Sequence, residues 1–365
     1  MWKRKRLPWI AFFTFAVFLL SAGLSRALGT KAARGFLIPR LEASFGRAVE
    51  VGGFEFSLLD GARLEAYSVT VSEDPGFGHE YFLRADRLAA GLRWSALFAG
   101  RVEFGTLFLQ RPSLNLVRDT EGHWNIERWL PPAPGEAPPA AAARAPAAPS
   151  KTSLAPLVRI DVDSGRINFK QGDNKTGLAV VDVKGRIEQN GPGRWQLDLQ
   201  ARPMRAGVEL QDIGTLRVRG NIGGTSARLQ PAELTLLWHN VSLADALRLS
   251  RQSDYGVRGE LALDISARVA PPNAGLARAE DAGGARWTIS GVARLRGVHG
   301  WMLPGRPTDP SLNLAASAMW RAGDRHAQVA NLMVEMPSSH LQGSGDLDWG
   351  RDRRVRGLRP ENQVH

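Results

Sequence analysis

The most regular feature of the chain is an alternation. Between Val257 and Val269 the odd positions read Val, Gly, Leu, Leu, Ile, Ala, Val and the even positions Arg, Glu, Ala, Asp, Ser, Arg. Successive side chains of a strand point to opposite sides, so this pattern predicts one apolar face and one wet face. At roughly 3.3 Å per residue the run reaches about 43 Å, far beyond the usual five or six residues of a strand. Shorter alternations predict further strands at Ile160 and Val162, at Ile167 and Phe169, at Trp195, Leu197 and Leu199, and over 289–295, 312–320 and 341–349. Ser164-Gly165 lies between two of these and predicts a turn. Nearer the N-terminus, Phe54 and Phe56, and then Tyr67, Val69 and Val71 against Ser68 and Thr70, carry the same period. Glu73 to Gly78 has turn composition, and 94–99 predicts one helical turn before a strand at 101–109.

Few stretches have another period. Ser242-Leu243-Ala244-Asp245 has the form of a capping box with Asp in the Glu position, and Leu247 and Leu249 extend the helix it opens. Over 31–47, Leu37, Leu41 and Phe45 recur at helical spacing with Gly46 as a stop, unless Pro39 divides the segment. Residues 8–24 carry no charge and include Pro8, Trp9, Phe12, Phe15, Phe18, Leu20 and Leu24. As a helix they span roughly 26 Å, close to the hydrocarbon thickness of a bilayer. Lys3, Arg4, Lys5 and Arg6 precede them and favour a cytoplasmic N-terminus. The alternative, a cleaved signal peptide, fits less well, because the apolar run is too long and no A-x-A site follows.

Residues 131–156 hold eight prolines and ten alanines and almost no larger apolar side chain, so they cannot bury a core. They read as a semi-extended linker. The expected organisation is a basic stub and transmembrane anchor over 1–30, an N-terminal α/β module over 31–130, the linker, a β-rich region over 157–349 and an irregular basic tail over 350–365. The fold class is mainly β: an N-terminal transmembrane helix, then a long, curved, trough-like antiparallel sheet with a few short helices.

Residues 101–126 add a literal signature. Pro112 marks a strand start or an edge, because proline has no N–H for a ladder. Asp119 to Gly122 has turn chemistry, and Trp124 and Ile126 beyond it return to one face. The string RPSLNLVRDTEGHWN resembles the N-terminal region of the AsmA family of bacterial envelope proteins. Similar strings occur over 56–78, 84–104, 238–269 and 294–320, so the resemblance extends from Leu37 to Trp349. Family members commonly continue with more strands, and the tail after Trp349 reads as truncated or frame-shifted.

Composition narrows the chemistry. Cysteine is absent, which excludes disulfides, thiolate metal sites and cysteine nucleophiles. The net charge of +11 is concentrated at the two ends: Lys3 to Arg6 contribute +4 and residues 350–365 a further +3. With no basic stripe in the body, nucleic acid is not an expected partner. The seven histidines never take H-x-H or H-E-x-x-H spacing, and no nucleophile elbow, phosphate loop or dinucleotide fingerprint is present. Asp161 and Asp163 read as a solvated strand face, since no acid, base or nucleophile partner lies near them in sequence. No catalytic residue, cofactor or metal is expected, and the chain is not expected to be an enzyme.

A sheet this long with one apolar face and no helices to cover it must hide that face, and curling into a trough does so. Val257, Leu261, Leu263, Ile265, Val269, Leu341 and Leu347 are the expected lining, suited to acyl chains. The resemblance implies the same, since AsmA-like proteins are similar to bridge-like lipid transfer proteins and are associated with outer-membrane biogenesis. The expected role is that of a single-pass inner-membrane protein with a periplasmic body, its partners the inner membrane and phospholipid. The alternative is an envelope scaffold whose apolar face packs shut and whose edges bind outer-membrane or envelope assembly proteins.

Overall fold

The computed structural model describes residues 23, 35, 38–39, 41–42, 46–57, 63–92, 104–120, 123–126, 159–190, 194–225, 228–229, 232–269, 286–300, 302–306, 308–321, 326–348 and 355–361. Two compact units divide the chain. Unit 1 takes Met1–Asn125, Ala148–Thr176 and Asp182–Arg186, and unit 2 takes Ile126–Ala147, Gly177–Val181 and Ile187–His365. The apolar run containing Pro8, Trp9, Phe12, Phe15, Phe18, Leu20 and Leu24, its basic flank Lys3 to Arg6, the helical turn expected at 94–99 and the linker at 131–156 lie outside the described residues, except Gly23. Among the described residues no helix is long and apolar enough to cross a membrane.

Ahead of its strands, unit 1 has helical residues at Gly23, Gly35, Ile38, Pro39, Leu41 and Glu42. The Gly46 N–H donates to the Glu42 carbonyl at 2.7 Å with φ +64°, the helix stop its sequence position predicts. Strands β1 (Val49–Ser57), β2 (Arg63–Ser72), β3 (Tyr81–Leu92) and β4 (Phe104–Gln110) then pair antiparallel in succession. Phe54 and Phe56 of β1, Val69 and Val71 of β2 and Phe82 of β3 are buried, as the period of two requires. Tyr67 departs from it: its hydroxyl donates to Glu65 at 2.6 Å, with Glu55 at 3.0 Å, and Arg87 closes the group through a bidentate pair with Glu65. Burial works to raise the Glu65 carboxyl; the hydrogen bonds from Arg87 and Tyr67 outweigh it and hold its pKa below the ordinary value.

Strand β5 (Ser113–Arg118) starts directly after Pro112, as expected for a residue that cannot donate to a ladder. The Arg111 backbone turns to φ +46° between β4 and β5. Strand β6 (Arg159–Gln171) spans this break, pairing in parallel with β4 through Arg159 to Asp163 and with β5 through Arg166 to Gln171. The turn expected at Ser164-Gly165 is therefore a kink within one continuous strand. Arg111 N–H donates to the Asp163 carbonyl at 2.8 Å and Arg166 N–H to the Pro112 carbonyl at 2.7 Å, so the kink matches the break in register. Strand β6 follows the linker in sequence yet belongs to unit 1. Asp161 pairs with Arg159 and Arg186, and Asp163 with Lys184, consistent with a solvated face.

The signature string closes unit 1. Asn125 is 2% exposed, and its side chain substitutes for a missing strand: Nδ2 donates to the Asn115 carbonyl at 2.8 Å and to Glu73 at 2.6 Å, while Oδ1 accepts from Val117 N–H at 3.1 Å. Arg47 completes the cluster, pairing with Glu73, donating to the Asn125 carbonyl at 2.8 Å and lying 4.1 Å over the Phe82 ring. Trp124 forms an antiparallel bridge with Arg118, which is the predicted return of the chain.

Strand β7 (Asn174–Gln189) contributes residues to both units. In unit 2, β8 (Arg194–Arg205), β9 (Thr215–Thr225), β11 (Ala232–Ser242), β12 (Val257–Val269), β13 (Arg286–Gly300), β14 (Leu312–Arg321), β15 (His326–Met336), β16 (Ser339–Asp348) and β17 (Val355–Glu361) pair antiparallel in that order. The short β10 (Arg228–Leu229) folds back on β9. Strand β17 corrects the expectation of an irregular tail. The outer edge of β16 offers unpaired backbone groups, and ladder bonding to them does not require side-chain alternation.

Among the described residues the one complete helix is Leu243–Arg251. Its N-cap is Ser242, whose hydroxyl accepts from Asp245 N–H at 3.5 Å. The capping box is only half formed. The buried Asp245 carboxylate accepts instead from the backbone N–H groups of Gln211 and Asp212, at 2.9 and 2.7 Å, and so holds the β8–β9 connection. One methylene shorter than Glu, it serves the neighbouring loop rather than its own helix.

Candidate apolar binding face

Residues paired across an antiparallel ladder share a face, so the register of unit 2 can be read as rows crossing the strands. One row is Trp238, Leu263, Ala293, Leu314, Val334 and Leu341. The next along the strands is Leu236, Ile265, Gly291, Ala316, Leu332 and Gly343. A third, toward the strand ends, is Ala232, Val269, Trp287, Trp320, Ala327 and Leu347. Leu261 lies with Val241, Leu295 and Leu312. On the other side, Leu236 and Trp238 continue to Val218 and Leu216 of β9, and these to Leu199 and Ala201 of β8. Charged residues are absent from these rows.

All seven residues expected to line a groove take places on this face. Leu263 and Leu341 share one row and Val269 and Leu347 another, while Val257 keeps its parity beyond the irregularity between Arg258 and Glu260, opposite Gly300. Burial varies along the face. Val269 is buried at 3%, but Val257, Leu261, Leu263 and Ile265 are half-buried, and Leu341 and Leu347 are 37% and 40% exposed. A packed core would bury the middle of such a face completely; here it stays accessible. The Trp238 indole is fixed by donation to the Ile213 carbonyl at 2.7 Å.

The opposite face is mixed: the row Thr235, Ser266, Ser290, Ser317 and Asn331 is polar, the next reads Leu237, Asp264, Val292, Ala315, Met333 and Gln342, and its charges are paired. Asp198 binds Arg217 at 2.7 Å, and its carboxyl lies below the usual range because of that guanidinium. Asp264 accepts from Arg294 at 2.8 Å and pairs with His239. Burial works to raise the Asp264 carboxyl, but these two hydrogen bonds outweigh it and its pKa is lowered. A shallow cavity of about 360 Å³ crosses β11 to β15 here, its lining mixed: Ser266, Ser290, Ser317 and Asn331 together with Val292 and Ala315.

The lateral alignment was not legible in the sequence. Each strand's alternation was, but which residue of one strand meets which residue of the next depends on register shifts at Trp238/Val241, Arg258/Glu260, Ser317/Ala318 and Val329/Leu332. The Trp287–Trp320 pair is the clearest case, with two tryptophans 33 positions apart in sequence and directly opposed in the sheet.

Comparison with known proteins gives one match. No curated protein and no solved structure matches the chain. A family model described as the AsmA family matches residues 10–197, from the apolar N-terminal run into β8 and just over half of the sequence. The resemblance expected as far as Trp349 is thus matched to Leu197, and the apolar rows of β9 to β16 lie beyond it. The chain belongs to the AsmA family, a family of bacterial envelope proteins.

Proposed function

We propose that the protein is a membrane-anchored component of the bacterial envelope that holds phospholipid acyl chains along the apolar face of unit 2, and so takes part in outer-membrane biogenesis without catalysing a reaction. The observation carrying this reading is the incomplete burial of aligned apolar rows from β11 to β16. Each methylene removed from water is stabilising by about 0.8 kcal/mol, so acyl chains laid on such a face gain strongly from it. A non-transporting scaffold requires that the face pack shut, which the incomplete burial of Leu261, Leu263 and Ile265 does not favour. On this proposal residues 8–24 anchor the chain in the inner membrane, Lys3 to Arg6 stay cytoplasmic and the body is periplasmic, with its sheet curled into a trough.

The test is photo-crosslinking in cells. A crosslinking residue at Leu261 or Leu263 is expected to capture phospholipid, and one at Glu260 or Asp264 is not. Leu263→Asp places a charge among the acyl chains, where an unpaired ion is strongly disfavoured, and should reduce capture more than abundance. Absence of adducts at both leucines, together with loss of the protein in Leu263→Asp, would decide for a packed scaffold.

A further inference from the structure

Three of the most exposed large apolar side chains occupy one end of the unit 2 sheet. Tyr255 is 66% exposed, Met302 78% and Leu303 60%. Val257 pairs with Gly300, so Tyr255 precedes β12 by two residues and Met302 follows β13 by two, and the three residues share one tip. Strand β14 begins opposite Leu295, and the chain before it still runs beside β13, where Val298 N–H donates to the Pro310 carbonyl at 3.2 Å.

The tip is held in place by its own polar groups. Leu303 N–H donates to the Gly300 carbonyl at 2.9 Å, Arg306 N–H to the Asp309 carboxylate at 2.8 Å, and Asp309 lies 3.3 Å from the His299 ring. On the other side, Asp254 accepts from Gly256 N–H at 3.0 Å, from Arg258 at 3.0 Å and from Arg248 at 2.7 Å. The carboxylates beside the tip are therefore already engaged, while Arg251 and Arg306 are exposed at its flanks. An apolar point flanked by guanidinium groups is complementary to a bilayer interface whose headgroups carry negative charge. A water-facing loop has no comparable reason to present Tyr, Met and Leu together.

We propose that the β12–β13 tip of unit 2 docks on a membrane containing anionic phospholipid, with Tyr255, Met302 and Leu303 entering the interface and Arg251 and Arg306 meeting lipid phosphate. The contact shares its lipid chemistry with the acyl-binding reading but does not rest on it, since docking requires only the tip.

The lack of cysteine allows a local test in the full chain, where the N-terminal apolar run would confound simple vesicle binding. Met302→Cys labelled with an environment-sensitive fluorophore is reconstituted into phosphatidylethanolamine–phosphatidylglycerol vesicles. A nitroxide-labelled lipid is placed either in those vesicles or in a second set added afterwards. Quenching in either arrangement, by about twofold or more, is the expected result for a residue at the acyl boundary. A label at Ser317, in the polar row of the opposite face, should stay unquenched. Leu303→Asp should abolish most of the quenching at 302, and Arg251→Glu with Arg306→Glu should reduce it severalfold, all with unchanged circular dichroism. No quenching at 302 in either arrangement overturns the proposal, as does a blue shift of the label without quenching, which would report a protein contact. Quenching at 302 without lipid adducts at Leu261 and Leu263 would leave docking standing and remove the acyl-binding reading.

Discussion

At the scale of single residues, unit 2 is fixed at one end by carboxylates that serve as local anchors. Asp254 ties the end of the helix Leu243–Arg251 to the start of β12. The Gly256 N–H, and after it the Arg258 and Arg248 guanidinium groups, lower its pKa to about 2. A folded pKa below the unfolded one means that the contribution is fully present above the unfolded carboxyl pKa of about 3.9 and is lost as pH falls through about 2. Urea midpoints of the wild type and Asp254→Asn, measured across that window, should converge as pH falls. A gap of constant size would show that the residue acts without its charge. In unit 1, Asn125 plays a comparable part through its amide, and its place in a polar, turn-like stretch gave no hint of that burial.

At the scale of elements, close approach between strands sets the limits. Gly220 of β9 has φ +152° and lies opposite Leu234 of β11 and Leu197 of β8. A Cβ there would come within 1.9 Å of the Glu233 carbonyl oxygen. Gly220→Ala must therefore move backbone as well as strain it, and should cost about 3 kcal/mol or more, read as a lowered denaturation midpoint. Retention of wild-type stability would mean that β9 and β11 can separate without loss. The sequence carries no sign of this approach, because a missing side chain does not show what stands in its place.

At the scale of the whole molecule, β6 makes the chain's connectivity differ from its order in sequence. The segment 131–156 lacks the apolar side chains needed to pack, so limited proteolysis should cut there first. The products should nevertheless remain together under native conditions, because the C-terminal product carries β6 and the N-terminal product carries its parallel partners β4 and β5. Co-elution of the two products on size exclusion, and their separation only in denaturant, is the expected outcome. Separate elution of the products would show that those parallel ladders do not hold alone.

Much of the strand content was determined by sequence alone: Val257–Val269 forms a strand over its full predicted extent, and Ser242 caps the helix at the position its residue type predicts. These features depend on a local period or a local hydrogen bond, which neighbouring residues specify by themselves. Other features required the tertiary structure. Ser164-Gly165 has turn composition, yet the break between β4 and β5 provides partners on both sides and makes it a kink. Residues 355–361 have no strand period, yet they add to the edge of β16. The apolar face belongs to both classes. Each strand encodes its own half-apolar character, but the union of Trp238, Leu263, Ala293, Leu314, Val334 and Leu341 into one row depends on how the bulges shift each strand against the next, a property of pairs of strands that no single stretch of chain contains.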